Sequence, residues 1–204
     1  EFVCNPRKVV GIMKQEDIFK TFKETGALLK GHFELRSGLH SDQYFQCALV
    51  LQYPWVAEQL CAAVAEKMKA DRGAKLKVDG VISPALGGIP VGHEMARALH
   101  VKAIFAEKLD GKLVLRRAFE IKPGQHFVVA EDVITRGGRV QETIDIVTQR
   151  GGIVEAITVL VDRSGGKVHF PFPVYSLLQW EPVTWQPGEC PLCRQGTKAV
   201  HPGS

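Results

Sequence analysis

The chain has 204 residues, 45% of them hydrophobic, and carries a formal net charge of +4. That length supports a sizeable core without staples and predicts one domain, while a mild, dispersed charge suits a small anionic substrate and gives no reason to expect nucleic acid. With no apolar run near the roughly 20 residues of a membrane helix and no signal-like start, no membrane partner and a cytoplasmic location are expected.

Residues 1–12 differ in character from the rest of the chain, and Met13 opens directly onto a helical pattern. They are expected to be an extension or an expression remnant, with 13–204 forming the domain. Residues 14–25 place Ile18, Phe19 and Phe22 at helical spacing, with Gly26 as a stop. Residues 31–48 are mixed and end in an extended Tyr44-Phe45 segment. Pro54 opens a second helix with Val56, Leu60, Val64 and Met68 on one face. Residues 78–82 read as a strand, 84–88 as a loop, 89–100 as a helix with Pro90 in its first turn, and 101–106 as a strand. The charged stretch 107–123 reads as a loop with a hairpin. Next come a strand over 126–130, a helix over 138–150 and strands over 153–161 and 174–180, and residues from about 181 to 204 are Pro-rich and irregular.

Short apolar strands alternating with helices predict an α/β fold with a mostly parallel central sheet flanked by helices. Ligands bind such sheets beyond the carboxyl ends of the strands. The loops after Ile82, Ala130 and Val161 all stand at such ends.

The most informative segment is His126-Phe-Val-Val-Ala-Glu131-Asp132-Val133-Ile134-Thr135-Arg136-Gly137-Gly138-Arg139-Val140. An apolar strand runs into two adjacent carboxylates, then a Thr/Gly loop, then a helix. Uncapped amides at a helix start suit a phosphate, and glycines allow close approach. A Gly-Gly turn alone would be an ordinary strand–helix connection. Two neighbouring acids shift the balance, because they repel and need a cationic or hydroxylic partner. The segment is neither a Walker loop nor G-x-G-x-x-G. Arg136 and Arg139 either grip the phosphate or point into solvent.

The five cysteines are Cys4, Cys47, Cys61, Cys190 and Cys193. An odd number without a secretory signal argues against a disulfide framework. Cys190-Pro-Leu-Cys193 has zinc-ligand spacing, but a structural site wants four ligands, which His169 or His201 would have to complete. Reduced thiols are the favoured expectation and zinc the minor one. His32, His40, His93, His100 and His126 show no metal-ligand spacing.

Residues 128–138 resemble the phosphoribosyl-diphosphate (PRPP) signature of the type I phosphoribosyltransferases. The resemblance implies that Glu131 and Asp132 hold the ribose hydroxyls, with Asp132 and Glu131 catalytic. It implies that Val133, Ile134, Thr135, Arg136, Gly137, Gly138 and Arg139 line the 5′-phosphate site. The segment 81–90, with Ala85, Leu86, Gly87 and Gly88, resembles the family's pyrophosphate loop. Lys108, Lys112, Arg116 and Arg117 come next as cations for the departing pyrophosphate, with Lys108 favoured as catalytic. In the family this loop reaches into a neighbouring subunit, so a homodimer is implied.

Residues 31–45 resemble the N-terminal hood of the orotate phosphoribosyltransferases, which sets the hood at about 13–50 and implies orotate and PRPP as the small-molecule substrates. Arg36 stands where many relatives have Lys, and the two differ in hydrogen-bond geometry. Tyr44 and Phe45 are candidates for a wall against the pyrimidine ring, with Thr135 near it. Arg163, in Asp162-Arg163 at a strand end, suits the carboxylate of orotate through two donors. Its alternative is an ion pair with Asp162 or another neighbour. The implied cofactor is Mg²⁺, held mainly by PRPP and water rather than by protein ligands.

Overall fold

The computed structural model describes residues 13–35 and 37–202. The reading of residues 1–12 as an extension lies outside them.

Helix α1 (Gln15–Glu24) buries Ile18 and Phe22 and ends before Gly26, at φ +72. An antiparallel hairpin comes next, β1 (Leu28–Glu34) with β2 (His40–Phe45), where the sequence pattern alone had been mixed. A short α2 (Cys47–Leu51) leads into α3 (Pro54–Arg72), whose Val56, Leu60, Val64 and Met68 are buried as their spacing predicted.

The main sheet has the order β5-β4-β3-β6-β7-β8. Its strands are β3 (Gly80–Pro84), β4 (Lys102–Leu109), β5 (Lys112–Leu115), β6 (His126–Ile134), β7 (Ile153–Asp162) and β8 (Val174–Gln179). All neighbours pair in parallel except the edge strand β5, which returns along β4 through an Asp110-Gly111 turn. Helices α4 (Gly88–Leu99) and α5 (Gly138–Gln149) connect β3 to β4 and β6 to β7. The C-terminal segment carries only a one-turn 3-10 helix and α6 (Pro191–Arg194).

Strand alternation divides the core in two. Val81, Val128, Ala130 and Leu160 point into one cluster with Phe22, Phe45 and the buried faces of α3 and α4. Ile82, Phe127, Val129, Ile157 and Val159 point into the other, which α5 closes with Val140, Ile144 and Val147. A parallel sheet covered on both faces explains why its strands read as unbroken apolar runs.

Two boundaries differ from expectation. Strand β6 extends to Ile134, so Glu131 and Asp132 lie within the paired strand rather than beyond it: Glu131 stands opposite Val159 and Ile134 opposite Asp162. Polar residues at a strand's carboxyl end break the apolar pattern without breaking the ladder. Strand β4 likewise continues to Leu109 because β5 supplies a hydrogen-bonding edge.

Candidate active site

The carboxyl ends of β3, β4, β6, β7 and β8 share one edge of the sheet, and the site is built there. Glu131, 3% exposed, accepts the Asp132 N–H on Oε1 at 3.1 Å. Asp132 accepts the Val133 N–H on Oδ1 at 2.9 Å. Glu131 Oε2 is buried without a hydrogen-bond partner among the described residues. Burial first, and then the Asp132 charge, push the Glu131 carboxyl well above the usual range.

The turn after β3 lies directly against these acids. A Cβ on Gly87 would come within 2.8 Å of Asp132 Oδ2, and one on Gly88 within 3.0 Å of Glu131 Oε1. At Gly87 a Cβ would force the Asp132 carboxylate or the turn to shift, and at Gly88 it would need its neighbours to give by a few tenths of an ångström, so glycine lets this backbone lie directly against the carboxylates. Ala85 is tied to β4 through its N–H to the Ala106 carbonyl at 2.8 Å and to the next loop through Arg139, which donates to its carbonyl at 3.2 Å. Leu86 is 80% exposed.

The loop between β6 and α5 completes this side. Gly137, at φ +75, precedes a helix whose first amides no side chain caps. Val168 and Phe170 cover Gly137, whereas Gly138 has open space where a Cβ would project. Thr135, Arg136 and Arg139 are exposed. Two of the implied phosphate-site residues do not offer side chains here. Ile134 is buried in the core and its carbonyl accepts the Arg163 N–H, and Val133 gives its N–H to Asp132. Both belong to the β6 ladder, opposite Val161 and Asp162.

On the opposite side, the Arg163 guanidinium lies over the Tyr44 ring, 5.0 Å from its centroid. Arg163 Nε is buried without a hydrogen-bond partner among the described residues. Burial lowers its pKa, so this cation is partly stripped of water. It is not held by Asp162, whose Oδ1 accepts the Ser164 N–H at 2.9 Å. Phe45 does not face the site, contrary to its expected place in the wall against the pyrimidine ring. It is 2% exposed and packs edge-on against Phe22 and Trp180. Adjacent strand residues point to opposite faces, so Tyr44 and Phe45 cannot share one wall. Arg36 lies outside the described residues.

The expected cationic loop is the β4–β5 hairpin. Arg117 donates to Glu107 Oε1 at 3.0 and 2.7 Å, and Arg116 lies 3.7 Å from Glu107 Oε2. Hydrogen bonding from Arg117 holds the Glu107 carboxyl below its usual value. Lys108 and Lys112 are exposed and have no ion pair among the described residues. The hairpin is anchored to α5 through the Leu113 N–H, which donates to Glu142 at 3.0 Å.

Sequence reading missed Cys47. Its buried thiol lies 3.8 Å from the Asp132 carbonyl oxygen and is pushed well up by burial and then by the Asp132 charge. A lone cysteine after a strand carries no pattern that would have exposed it.

This geometry matches a known family. The phosphoribosyl transferase domain family matches residues 56–192. The chain is 52% identical over 188 residues to the orotate phosphoribosyltransferase of Carboxydothermus hydrogenoformans, covering 92% of this chain and 97% of that one. This chain belongs to the orotate phosphoribosyltransferase family. The family member of Caldicellulosiruptor bescii is 48% identical over 192 residues, covering 94% of this chain and 98% of its own. Among solved structures, the orotate phosphoribosyltransferase of Aeropyrum pernix superposes with a TM-score of 0.61 at 23% identity, over 79% of this chain and 93% of that one. An adenine phosphoribosyltransferase superposes equally well, with a TM-score of 0.63 at 17% identity over 78% and 99%. The fold is therefore common to enzymes named for different bases.

Proposed function

We propose that the chain transfers the phosphoribosyl group of PRPP to orotate, giving orotidine 5′-monophosphate and pyrophosphate, a step of pyrimidine (UMP) synthesis. The observation that carries this reading is the Glu131–Asp132 pair, Glu131 buried with one carboxylate oxygen unpartnered among the described residues and Asp132 half-buried beside it, set against a glycine turn and near an uncapped helix start. PRPP presents the complement: hydroxyls for the carboxylates, a 5′-phosphate for the helix start and pyrophosphate for the glycine turn.

In this mechanism Glu131 and Asp132 accept from the ribose hydroxyls. Their charge steadies the positive character that develops at C1 as its bond to pyrophosphate opens. The bonding pair leaves with pyrophosphate, and an orotate ring nitrogen, losing its proton, supplies the pair for the new C1–N bond. Thr135, Gly138 and Arg139, with the exposed Arg136, hold the 5′-phosphate, while Ala85, Leu86, Gly87 and Gly88 cup the pyrophosphate. Lys108 and Lys112, without an ion pair among the described residues, supply charge to the leaving group, with Arg116 beside them. Arg163, backed by Tyr44, offers its guanidinium to the orotate carboxylate. Hard oxygen donors at the rim fit Mg²⁺, which leans on substrate phosphates and, when bound, neutralises pyrophosphate charge.

Residues 13–204 form one domain with a hood over about 13–50, a reading supported by the core that Phe22 and Phe45 share with α3 and α4. The exposed Lys108 and Lys112 are available to a neighbouring subunit, in keeping with a homodimer that light scattering would check. The free thiols of Cys47 and Cys61 suit the reducing cytoplasm.

The deciding assay mixes the protein with Mg²⁺, PRPP and orotate and follows orotate consumption. Turnover with orotate supports the reading. Turnover with adenine or another base and none with orotate would overturn the named substrate.

A further inference from the structure

Away from the sheet edge, the β1–β2 hairpin and the C-terminal segment meet in a second cluster of polar side chains. His32 and His40 are buried, with ring centroids 4.8 Å apart. Cys190 is buried beside them and Cys193 is exposed. One ligand atom from each of the four lies within 4.8 Å of every other. His32 Nε2 is 2.8 Å from His40 Nδ1, 3.5 Å from Cys190 Sγ and 3.7 Å from Cys193 Sγ. Cys193 Sγ is 3.3 Å from His40 Nδ1. Tetrahedral zinc bonds of about 2.0–2.1 Å to nitrogen and 2.3 Å to sulfur set ligand atoms roughly 3.3–3.8 Å apart. Three nitrogen–sulfur distances already fall in that range; on binding, the two histidines would spread by about 0.5 Å and the remaining pairs, all within 4.8 Å, would settle to the same spacing.

A second observation fixes the tautomer. His32 Nδ1 lies 3.1 Å from the Thr197 carbonyl oxygen. The Thr197 hydroxyl, 2.9 Å from the same nitrogen, already donates its proton to the Leu192 carbonyl. Both neighbours can only accept, so Nδ1 carries the proton and Nε2 turns a lone pair toward the cluster. A carbonyl behind the far ring nitrogen is the usual support of a metal-bound histidine.

A third observation concerns register. Leu28, Leu29 and Lys30 pair with Phe45, Tyr44 and Gln43, but the register then shifts, so that Phe33 stands opposite Ser41 and Glu34 opposite His40. Residues directly opposite share a face, and neighbours along a strand alternate. The shifted register puts His32 and His40 on one face. The unshifted register would have set them on opposite faces.

The backbone brings the C-terminal segment to the same place. Glu34 N–H donates to Val200, Val200 N–H donates to His32, and His40 and Trp185 exchange both hydrogen bonds, all at 2.9–3.0 Å. This segment has little apolar burial of its own, with Val183 62% and Val200 55% exposed. The two histidines expected to complete a site are elsewhere. His201 pairs with Glu34 at 3.2 Å, and His169 is exposed on the β7–β8 connection.

We propose that His32 Nε2, His40 Nδ1, Cys190 Sγ and Cys193 Sγ bind one structural Zn²⁺ that fastens the C-terminal segment to the hairpin. Two thiolates with two imidazoles select zinc among common divalent ions, and four protein ligands leave no position for substrate. Binding releases the two thiol protons.

The test uses the full chain, reduced, given Zn²⁺, freed of unbound metal and measured by mass spectrometry of its metal content. About one zinc per chain is expected, and Co²⁺ in its place should give the visible bands of tetrahedral sulfur–nitrogen ligation. Cys193→Ser, at an exposed position, and His40→Ala should each lose zinc to a chelator at least tenfold more readily. Cys61→Ser, buried beside Val91, should retain it and control for a cysteine change as such. Reduced protein that takes up no zinc, or zinc retention unchanged in both ligand variants, would overturn the site.

Discussion

The rim of the parallel sheet and the clasp between hairpin and C-terminal segment both crowd polar side chains into a small volume, but they leave those groups in opposite states. At the rim, Glu131 Oε2 and Arg163 Nε are buried without partners among the described residues, and two carboxylates sit side by side. In the clasp, each imidazole and thiol has a neighbour within hydrogen-bonding or ligand distance, and Thr197 supports His32 from behind. A site that must bind and release substrate keeps open valences that only the substrate fills. A site that holds two segments together gathers ligands from the chain itself and leaves none for substrate.

Four substitutions test the rim side of that contrast. The largest effect is expected for Asp132→Asn, which should lower turnover by roughly 10², because a preorganised charge aimed at the reacting centre is lost. Near-normal kcat would remove Asp132 from the mechanism. Gly87→Ala comes next. Its Cβ would crowd Asp132 Oδ2 at 2.8 Å, displacing the turn and costing about tenfold in kcat/KM for PRPP. An unchanged value with normal folding would mean that the turn and the acids do not work as one surface.

Arg163→Ala should raise the KM for orotate by about tenfold, the worth of one charge-assisted hydrogen bond, and leave the KM for PRPP in place. Equal change in both constants would assign Arg163 to the architecture of the rim rather than to the base.

Glu131→Gln should give the smallest effect, read on stability, where the change is a gain. The Glu131 carboxyl titrates above its unfolded value of about 4.3. The folded state therefore keeps its proton over a window where the unfolded state has lost it, and stability falls as the pH rises through that window. The amide removes this penalty. The free variant should melt later at neutral pH by about 2–4 °C, an order of 1 kcal/mol, while turnover drops. An earlier melt would show that the ionised carboxylate is satisfied within the free protein.

Much of the rim was legible because each of its parts is a contiguous segment. The pair Glu131-Asp132 with its Thr/Gly loop, the Pro84–Gly88 turn and Asp162-Arg163 each carry their chemistry in adjacent residues. What sequence could not give was direction. Adjacency groups Phe45 with Tyr44, and the pleat separates them. Proximity in sequence groups Val133 and Ile134 with the loop, and the ladder of β6 with β7 claims them. Charge groups Arg116 and Arg117 with Lys108 and Lys112, yet Glu107 engages both arginines and neither lysine.

The amino-acid sequence by itself determined the alternation of helices and buried strands, the sheet edge at which the acid–glycine motifs gather and the chemical character of those motifs. Each depends on residues a few positions apart, linked by the periods of strand and helix. Tertiary structure alone decided the clasp. His32 and His40 share a face only because the β1–β2 register shifts, and Cys190 and Cys193 meet them only because the C-terminal segment bridges back to Phe33 and His40. Contacts between residues some 150 positions apart leave no local period in a sequence, since what joins them is the path of the folded chain.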